Sequence, residues 1–151
     1  MRVYLACTVR GDRAGVAAGR VIHHALVRHG HDVLTAHLLS DDVESAEGLL
    51  SEREIFERDL RWLAACDLIV AEASGSSYGV GFEVGYVLGR SHETGQRAVL
   101  LYDATRAGAI SRLIVGNSDE RCTTFGYRSL QDLDRFVDEF CRTGTAGMPR
   151  R

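Results

Sequence analysis

Residues 67–89 constrain the fold more tightly than any other part of the chain. Leu68, Ile69, Val70 and Ala71 make a short apolar run of the kind a buried parallel strand needs. Residues 74–79 follow as a loop of small side chains, which lets backbone N–H groups come close to a ligand. From Val80 the apolar positions Val80, Val84, Val87 and Leu88 recur at helical spacing, so a helix is expected to run on to about Thr94. Strand, small-residue loop and helix N-terminus together form an anion site, because the first N–H groups of a helix lack partners and its dipole favours negative charge. On this reading Glu83 sits on the first turn of the helix, one turn below the loop.

The rest of the chain repeats the strand-then-helix order. Strands are predicted over residues 2–8, 32–36 (ending at His37), 98–102 and, more weakly, 122–126. Helices are expected over residues 14–29, stopped by Gly30, and over 51–65, where Ser51 and Glu54 form a capping box. A short helix over 109–116 and a final amphipathic helix from Ser129, carrying Leu130, Leu133, Phe136, Val137 and Phe140, complete the set. Residues 38–50 read as a mobile loop or a short helix. On the helix from Ser51, the residues Ile55, Phe56, Trp62, Leu63 and Cys66 form the apolar face with Asp59 in its middle. A buried carboxylate is costly unless paired, so Asp59 is either kept for chemistry or engaged in a cap or salt bridge at the core edge.

Alternating strands and helices predict an α/β fold, a three-layer sandwich with a parallel sheet and right-handed crossovers. Residues 1–143 are read as one domain and 144–151, which include the only proline, as a flexible tail. Five strands suit the flavodoxin-like order 2-1-3-4-5, in which a crevice opens between the carboxyl ends of strands one and three. That order brings Thr8 and Arg10 towards Ser77 and Gly79.

Composition narrows the partners. A net charge of −3 with no basic block gives no surface for a nucleic-acid polymer. No apolar run approaches the roughly 18 residues of a membrane span, and the N-terminal residues lack a charged-then-apolar signal, so a cytoplasmic location is expected. Cys7, Cys66, Cys122 and Cys141 are far apart and fit reduced thiols. His23, His24, His29 and His31 cluster at a helix end, but without a matching pattern of cysteines or carboxylates a polar helix end is the better reading, and no metal site is expected.

A guanidinium, hydroxyls and glycine N–H groups around one crevice are the ingredients of a monophosphate site, although ordinary loop glycines would look the same. No Walker loop occurs, and no Gly-x-Gly-x-x-Gly follows the first strand. Glu83 and Asp59 sharpen the reading. One carboxylate as nucleophile and one as proton handler is what cleavage at an anomeric carbon needs. Tyr4 is placed either to orient the nucleophile or simply as a tyrosine of the sheet.

Four segments in order carry a resemblance. They are Val3-Tyr4-Leu5-Ala6-Cys7-Thr8-Val9-Arg10-Gly11, Glu57-Arg58-Asp59-Leu60-Arg61-Trp62-Leu63, Ser77-Tyr78-Gly79-Val80-Gly81-Phe82-Glu83-Val84-Gly85 and Ile110-Ser111-Arg112-Leu113-Ile114-Val115-Gly116. With them, residues 2–141 resemble the 2′-deoxynucleoside 5′-monophosphate N-glycosidases of the nucleoside 2-deoxyribosyltransferase superfamily. The resemblance implies a retaining N-glycosidase with Glu83 as nucleophile, Asp59 as the second carboxylate and Tyr4 orienting the glutamate. It implies a 5′-phosphate pocket of Thr8, Arg10, Ser77 and Gly79, with Ser111 supplied by the neighbouring subunit of a homodimer. His37 falls near the region lining the base. No cofactor is implied.

Thr8 stands where the family has serine, Cys7 where it has glycine, and Phe56 where close relatives carry histidine. Residues 38–50 align poorly, which leaves the base open. Three other readings remain at this stage: deoxyribosyl transfer between bases, hydrolysis of a ribonucleotide such as CMP, and a non-catalytic nucleotide-binding module. Arg10 argues against transfer, Tyr4 favours a 2′-deoxy sugar, and a pure binder has no need of Glu83, Asp59 and Tyr4 together.

Overall fold

The computed structural model describes residues 1–8, 12, 14–75 and 77–144. Strict alternation along the strands decides which helix each side chain meets. The strands are β1 (Arg2–Ala6), β2 (Asp32–Val33), β3 (Leu68–Glu72), β4 (Arg97–Asp103) and β5 (Cys122–Tyr127). They pair in parallel, in the order β2-β1-β3-β4-β5. On one face Val3, Leu5, Leu68, Val70, Val99 and Leu101 pack under α1 (Val16–Arg28) and α7 (Leu130–Thr143). On the other, Tyr4, Ala6, Ile69, Ala71, Ala98 and Leu100 pack under α3 (Glu52–Ala65) and α4 (Tyr78–Leu88). This is the period-two pattern of a sheet covered on both sides. The expected flavodoxin-like order is present, and its crevice lies at the ends of β1 and β3.

Local chemistry sets the element ends. The Ser51 hydroxyl accepts the Glu54 N–H while the Glu54 carboxylate accepts the Ser51 N–H at 2.8 Å, completing the predicted capping box of α3. Ser129 caps α7 in the same way, accepting the Asp132 N–H at 3.1 Å. Gly30, at φ 74°, supplies the left-handed turn that ends the chain's first crossover helix. Leu133, Val137 and Phe140 are the buried stripe of α7; truncating one such residue to alanine costs about 3 kcal/mol.

Four expectations need correction. The second strand is two residues long, and Ala36–Leu39, including His37, form a 3-10 turn instead. Thr35 explains this: its Oγ1 accepts the Leu5 N–H at 2.9 Å and donates to the Leu5 carbonyl at 2.7 Å, so a side chain takes the place of the ladder. The segment after it does contain a helix, α2 (Val43–Glu47). The helix from the anion loop stops at Leu88, with Gly89 as its cap, and α5 (Ser91–Thr94) is separate. The segment read as a helix over 109–116 is a 3-10 stretch, Ala104–Ala109, followed by the single turn α6 (Arg112–Val115). Phe56 and Leu130, assigned to apolar faces, are exposed. None of the helices among the described residues is long and apolar enough to cross a membrane.

Candidate active site

Tyr4 lies in the middle of β1 with its ring on the α3–α4 face, wholly buried. Its hydroxyl donates to Glu83 Oε1 at 2.6 Å, across 79 residues of sequence. The sheet and α4 are thus joined by one charge-assisted bond. The helix begins two residues earlier than its apolar spacing indicates, because the Ser77 hydroxyl caps it by accepting the Val80 N–H at 3.3 Å. Glu83 therefore sits on the second turn of α4 rather than the first. The two added residues carry the carboxylate from the loop down to Tyr4.

Burial raises the Glu83 carboxyl from 4.5 to about 7; the Tyr4 hydrogen bond works against the rise, and the negative charges of Asp59 and Glu47 add to it. Burial, and then the charges of Glu83 and Asp59, push the Tyr4 phenol far above its ordinary value, so it remains a donor.

Glu83 lines a cavity of about 350 Å3, with the buried Tyr4 behind it. Cys7, Leu38, Ile55 and Val80 supply apolar wall, and Ser77 and Gly79 form its α4 end. Its charged lining is Glu47, Glu52, Asp59 and Glu83: four carboxylates and no cation among the described lining residues. Asp59 is brought there by α3, so the carboxylate that the helical wheel puts on an apolar face opens onto a cleft. Its Oδ1 accepts from Arg58 Nε at 2.8 Å.

Two loops converge near the start of α4. Gly75 lies so close to the first loop that a Cβ there would come within 2.7 Å of Thr8 Oγ1 and 2.6 Å of the Asp12 carbonyl. This contact brings the loops after β1 and β3 together, as the strand order requires. Thr8 is buried, and its Oγ1 has no hydrogen-bond partner among the described residues. Arg10 lies outside the described residues. Ser111 caps α6 by accepting the Leu113 N–H at 3.3 Å and lines a second cavity of about 460 Å3. That cavity shares Ser77, Tyr78 and Val80 with the first.

On the remaining side His37 does not itself line the cavity. Its Nε2 lies 3.5 Å from Glu47 Oε1, and its ring is 5.5 Å from that of Trp62. Glu47 and Arg58, joined at 2.6 Å, are the site residues missing from the sequence reading. No periodic pattern links the short α2 to α3, so nothing in the spacing pointed to Glu47. The Arg58-Asp59 pair was visible only as two adjacent charges.

A second carboxylate–tyrosine pair lies on the opposite face. Glu72, the last residue of β3, is buried and accepts from Tyr127 OH at 2.8 Å, from the Ser74 hydroxyl and from the Ser74 N–H. Burial raises its carboxyl above the ordinary range, with those hydrogen bonds opposing. Gly15 passes directly over it; a Cβ there would lie 1.8 Å from Glu72 Oε2. Glu72 lines neither cavity.

Comparison with known proteins bears on this arrangement. The sequence model of the family described as nucleoside 2-deoxyribosyltransferase matches residues 3–134. A relative in Thermofilum pendens, named provisionally as a 2′-deoxynucleoside 5′-phosphate N-hydrolase, is 38% identical over 139 residues, 92% of each chain. The 5-hydroxymethyl-dUMP N-hydrolase of Danio rerio is 30% identical, covering 96% of this chain and 99% of the relative. That of Mus musculus is 32% identical, covering 95% and 84%. Among solved structures, the CMP N-glycosidase of Clostridium botulinum superposes with a TM-score of 0.65 over 93% of this chain and 99% of its own, at 17% identity. At that identity the likeness concerns the fold.

Proposed function

The chain belongs to the nucleoside 2-deoxyribosyltransferase family, and on that premise we propose that it hydrolyses the N-glycosidic bond of 2′-deoxynucleoside 5′-monophosphates. The products are the free base and 2-deoxyribose 5-phosphate. The observation that carries the reading is the 2.6 Å bond from the buried Tyr4 to Glu83, which lines the same cleft as Asp59. The names of the relatives point to the same chemistry.

In this mechanism the ionised Glu83 carboxylate attacks C1′, and the bond to the base nitrogen breaks with its electron pair going to the base. Glu83 is then esterified to the sugar, and the base takes a proton from Asp59 or from water. Water, deprotonated by Asp59, attacks C1′ in turn and releases Glu83 as the carboxylate. Tyr4 holds one glutamate oxygen, fixing the angle of attack and leaving the other oxygen to react. The 5′-phosphate takes the α4 N-terminus, with the Ser77 hydroxyl, the Gly79 backbone, Thr8 and Arg10 as its partners. The buried Thr8 hydroxyl, without a partner among the described residues, is consistent with that assignment. His37 acts on the base side through Glu47.

We read the active form as a homodimer in which Ser111 completes the neighbour's phosphate pocket. In support, Tyr78 (101% exposed) and Leu113 (84%) stand out beside the second cavity, next to the exposed ring pair Phe56–Phe82. An apolar surface of this kind commonly marks a subunit contact. Mixing Glu83→Ala with Ser111→Ala protein tests the sharing: activity gained on mixing is expected, and no gain would mean that Ser111 serves its own chain. We place the protein in the cytoplasm, a reading supported by its four free thiols.

The deciding experiment measures base release from ribo- and deoxyribonucleoside 5′-monophosphates and from the unphosphorylated nucleosides, for wild type and Glu83→Ala. Release from the deoxyribonucleotides alone, lost in the variant, is the expected result. Equal release from nucleosides would overturn the phosphate assignment, and binding without release would leave a nucleotide-binding module.

A further inference from the structure

The cavity collects four carboxylates and yet, on the reading above, must admit a phosphorylated substrate. What offsets that charge lies one layer back. Arg58 is not a lining residue, but two lining carboxylates are bonded to it: its Nη2 donates to Glu47 Oε1 at 2.6 Å and its Nε to Asp59 Oδ1 at 2.8 Å. Its guanidinium lies 4.8 Å from the centre of the Trp62 ring. The side chain is only 17% exposed, and Glu47 and Asp59 are 12% and 23% exposed. Two nitrogens of a planar fork, Nε and Nη2, are thus engaged and one face lies against a ring, an arrangement that restricts its orientation. Neighbouring residues on a helix do not normally face each other, so Arg58 has to fold back along α3 to reach Asp59.

We propose that Arg58 is a positioning residue for the hydrolysis described above: clamped between Glu47 and Asp59, it fixes the Asp59 carboxylate against the sugar and fastens α2 as the base-side wall. The inference rests on the N-glycosidase reading, because it assigns Arg58 a role through a carboxylate that the reading places in the reaction. Oδ1 is engaged by the guanidinium, which leaves Oδ2 to face the substrate. Arg58 also offsets two of the charges felt by Glu83. Glu83 is faced by Tyr4 from β1, Asp59 from α3 and Glu47 from α2, with Arg58 and His37 behind these. Neutralising Arg58 leaves Asp59 and Glu47 uncompensated, and both push Glu83 towards its protonated, unreactive form.

Arg58→Gln and Arg58→Lys separate geometry from charge. In Arg58→Gln we expect kcat to fall by roughly ten- to a hundredfold with KM changed by less than about threefold, since a misplaced catalytic group costs rate rather than binding. The acid limb of its kcat/KM profile should move to higher pH. Lysine keeps the charge without the fork, so Arg58→Lys should return the limb towards the wild-type position while kcat stays low. Glu47→Gln should lower kcat by less, and its effect should not add to that of Arg58→Gln. Thermal melts of each variant separate these effects from loss of fold. Wild-type kcat in a folded Arg58→Gln overturns the proposal alone, as does a fall in kcat with no movement of the limb and full additivity with Glu47→Gln. A folded wild type inactive on every nucleotide and nucleoside overturns the N-glycosidase reading and this proposal with it.

Discussion

The two carboxylate–tyrosine pairs are chemically alike and lie on opposite faces of one sheet. Glu83 is bonded to Tyr4 under α4, and Glu72 to Tyr127 under α1. Burial raises both carboxyls. They differ in what fills their remaining hydrogen-bonding capacity. Glu72 also takes the Ser74 hydroxyl and N–H and is covered by Gly15, whereas Glu83 takes one donor among the described residues and opens onto a cleft with three other carboxylates. A raised carboxyl bonded to a tyrosine does not by itself mark a reactive group; an unsatisfied side facing space does. Glu72 ties the ends of β3 and β5 together beneath Gly15, and among the described residues Glu83 is held by Tyr4.

The contrast is broken first at Glu83. Glu83→Gln should lower turnover at least about 1000-fold, measured as base release, because an amide cannot replace the carboxylate that forms the sugar ester in the proposed mechanism. The same change should stabilise the fold. A carboxyl raised from 4.5 to about 7 binds more protons folded than unfolded between those values, so wild-type stability falls as pH rises across that window. The Tm gain of Glu83→Gln should be absent below pH 4.5, grow through the window and be complete above pH 7. An unchanged Tm difference across that range would mean that Glu83 is not raised.

Glu72→Ala should behave in the opposite sense. It leaves Tyr127 and Ser74 without their acceptor, at a cost of about 3 kcal/mol or roughly 6–12 °C in Tm, with kcat little altered at temperatures where the variant is folded. If Glu72→Gln melts like wild type yet loses turnover, Glu72 belongs to the site and the distinction fails. Tyr4→Phe should reduce kcat about ten- to a hundredfold and shift the acid limb upward from its position near 7, since the lost hydrogen bond is the group that lowers the Glu83 carboxyl. A limb that moves down instead would reverse the assigned role of the phenol. Tyr127→Phe is the smallest change: about 1 kcal/mol by denaturant titration, with unaltered kinetics.

Much of this was legible in the residues. Val3, Leu5, Leu68 and Val70 alternate with Tyr4, Ala6, Ile69 and Ala71, which specified a sheet covered on both faces and put Tyr4 on the face opposite Val3. Ser51 with Glu54, and Ser129, announced their helices, because caps act within one turn of chain. Glu83 and Asp59 stood out as carboxylates where apolar or small residues were expected. The short β2 was not legible: its limit is set by Thr35 bonding to Leu5, a residue thirty positions away. Nor was the Glu47–Arg58–Asp59 clamp, since Glu47 comes from a segment without periodicity.

By itself, then, the sequence determined the alternation of strands and helices, the capped starts of α3 and α7 and the pair of carboxylates worth testing, because these follow from local periodicity, capping and residue chemistry. Only the tertiary structure decided that Tyr4 meets Glu83 on the second turn of α4, that Glu72 is sealed under Gly15, and that Arg58 stands behind the cleft rather than in it. Those outcomes depend on where separate elements cross, and a hydrogen bond 2.6 Å long is set by packing across the whole sheet.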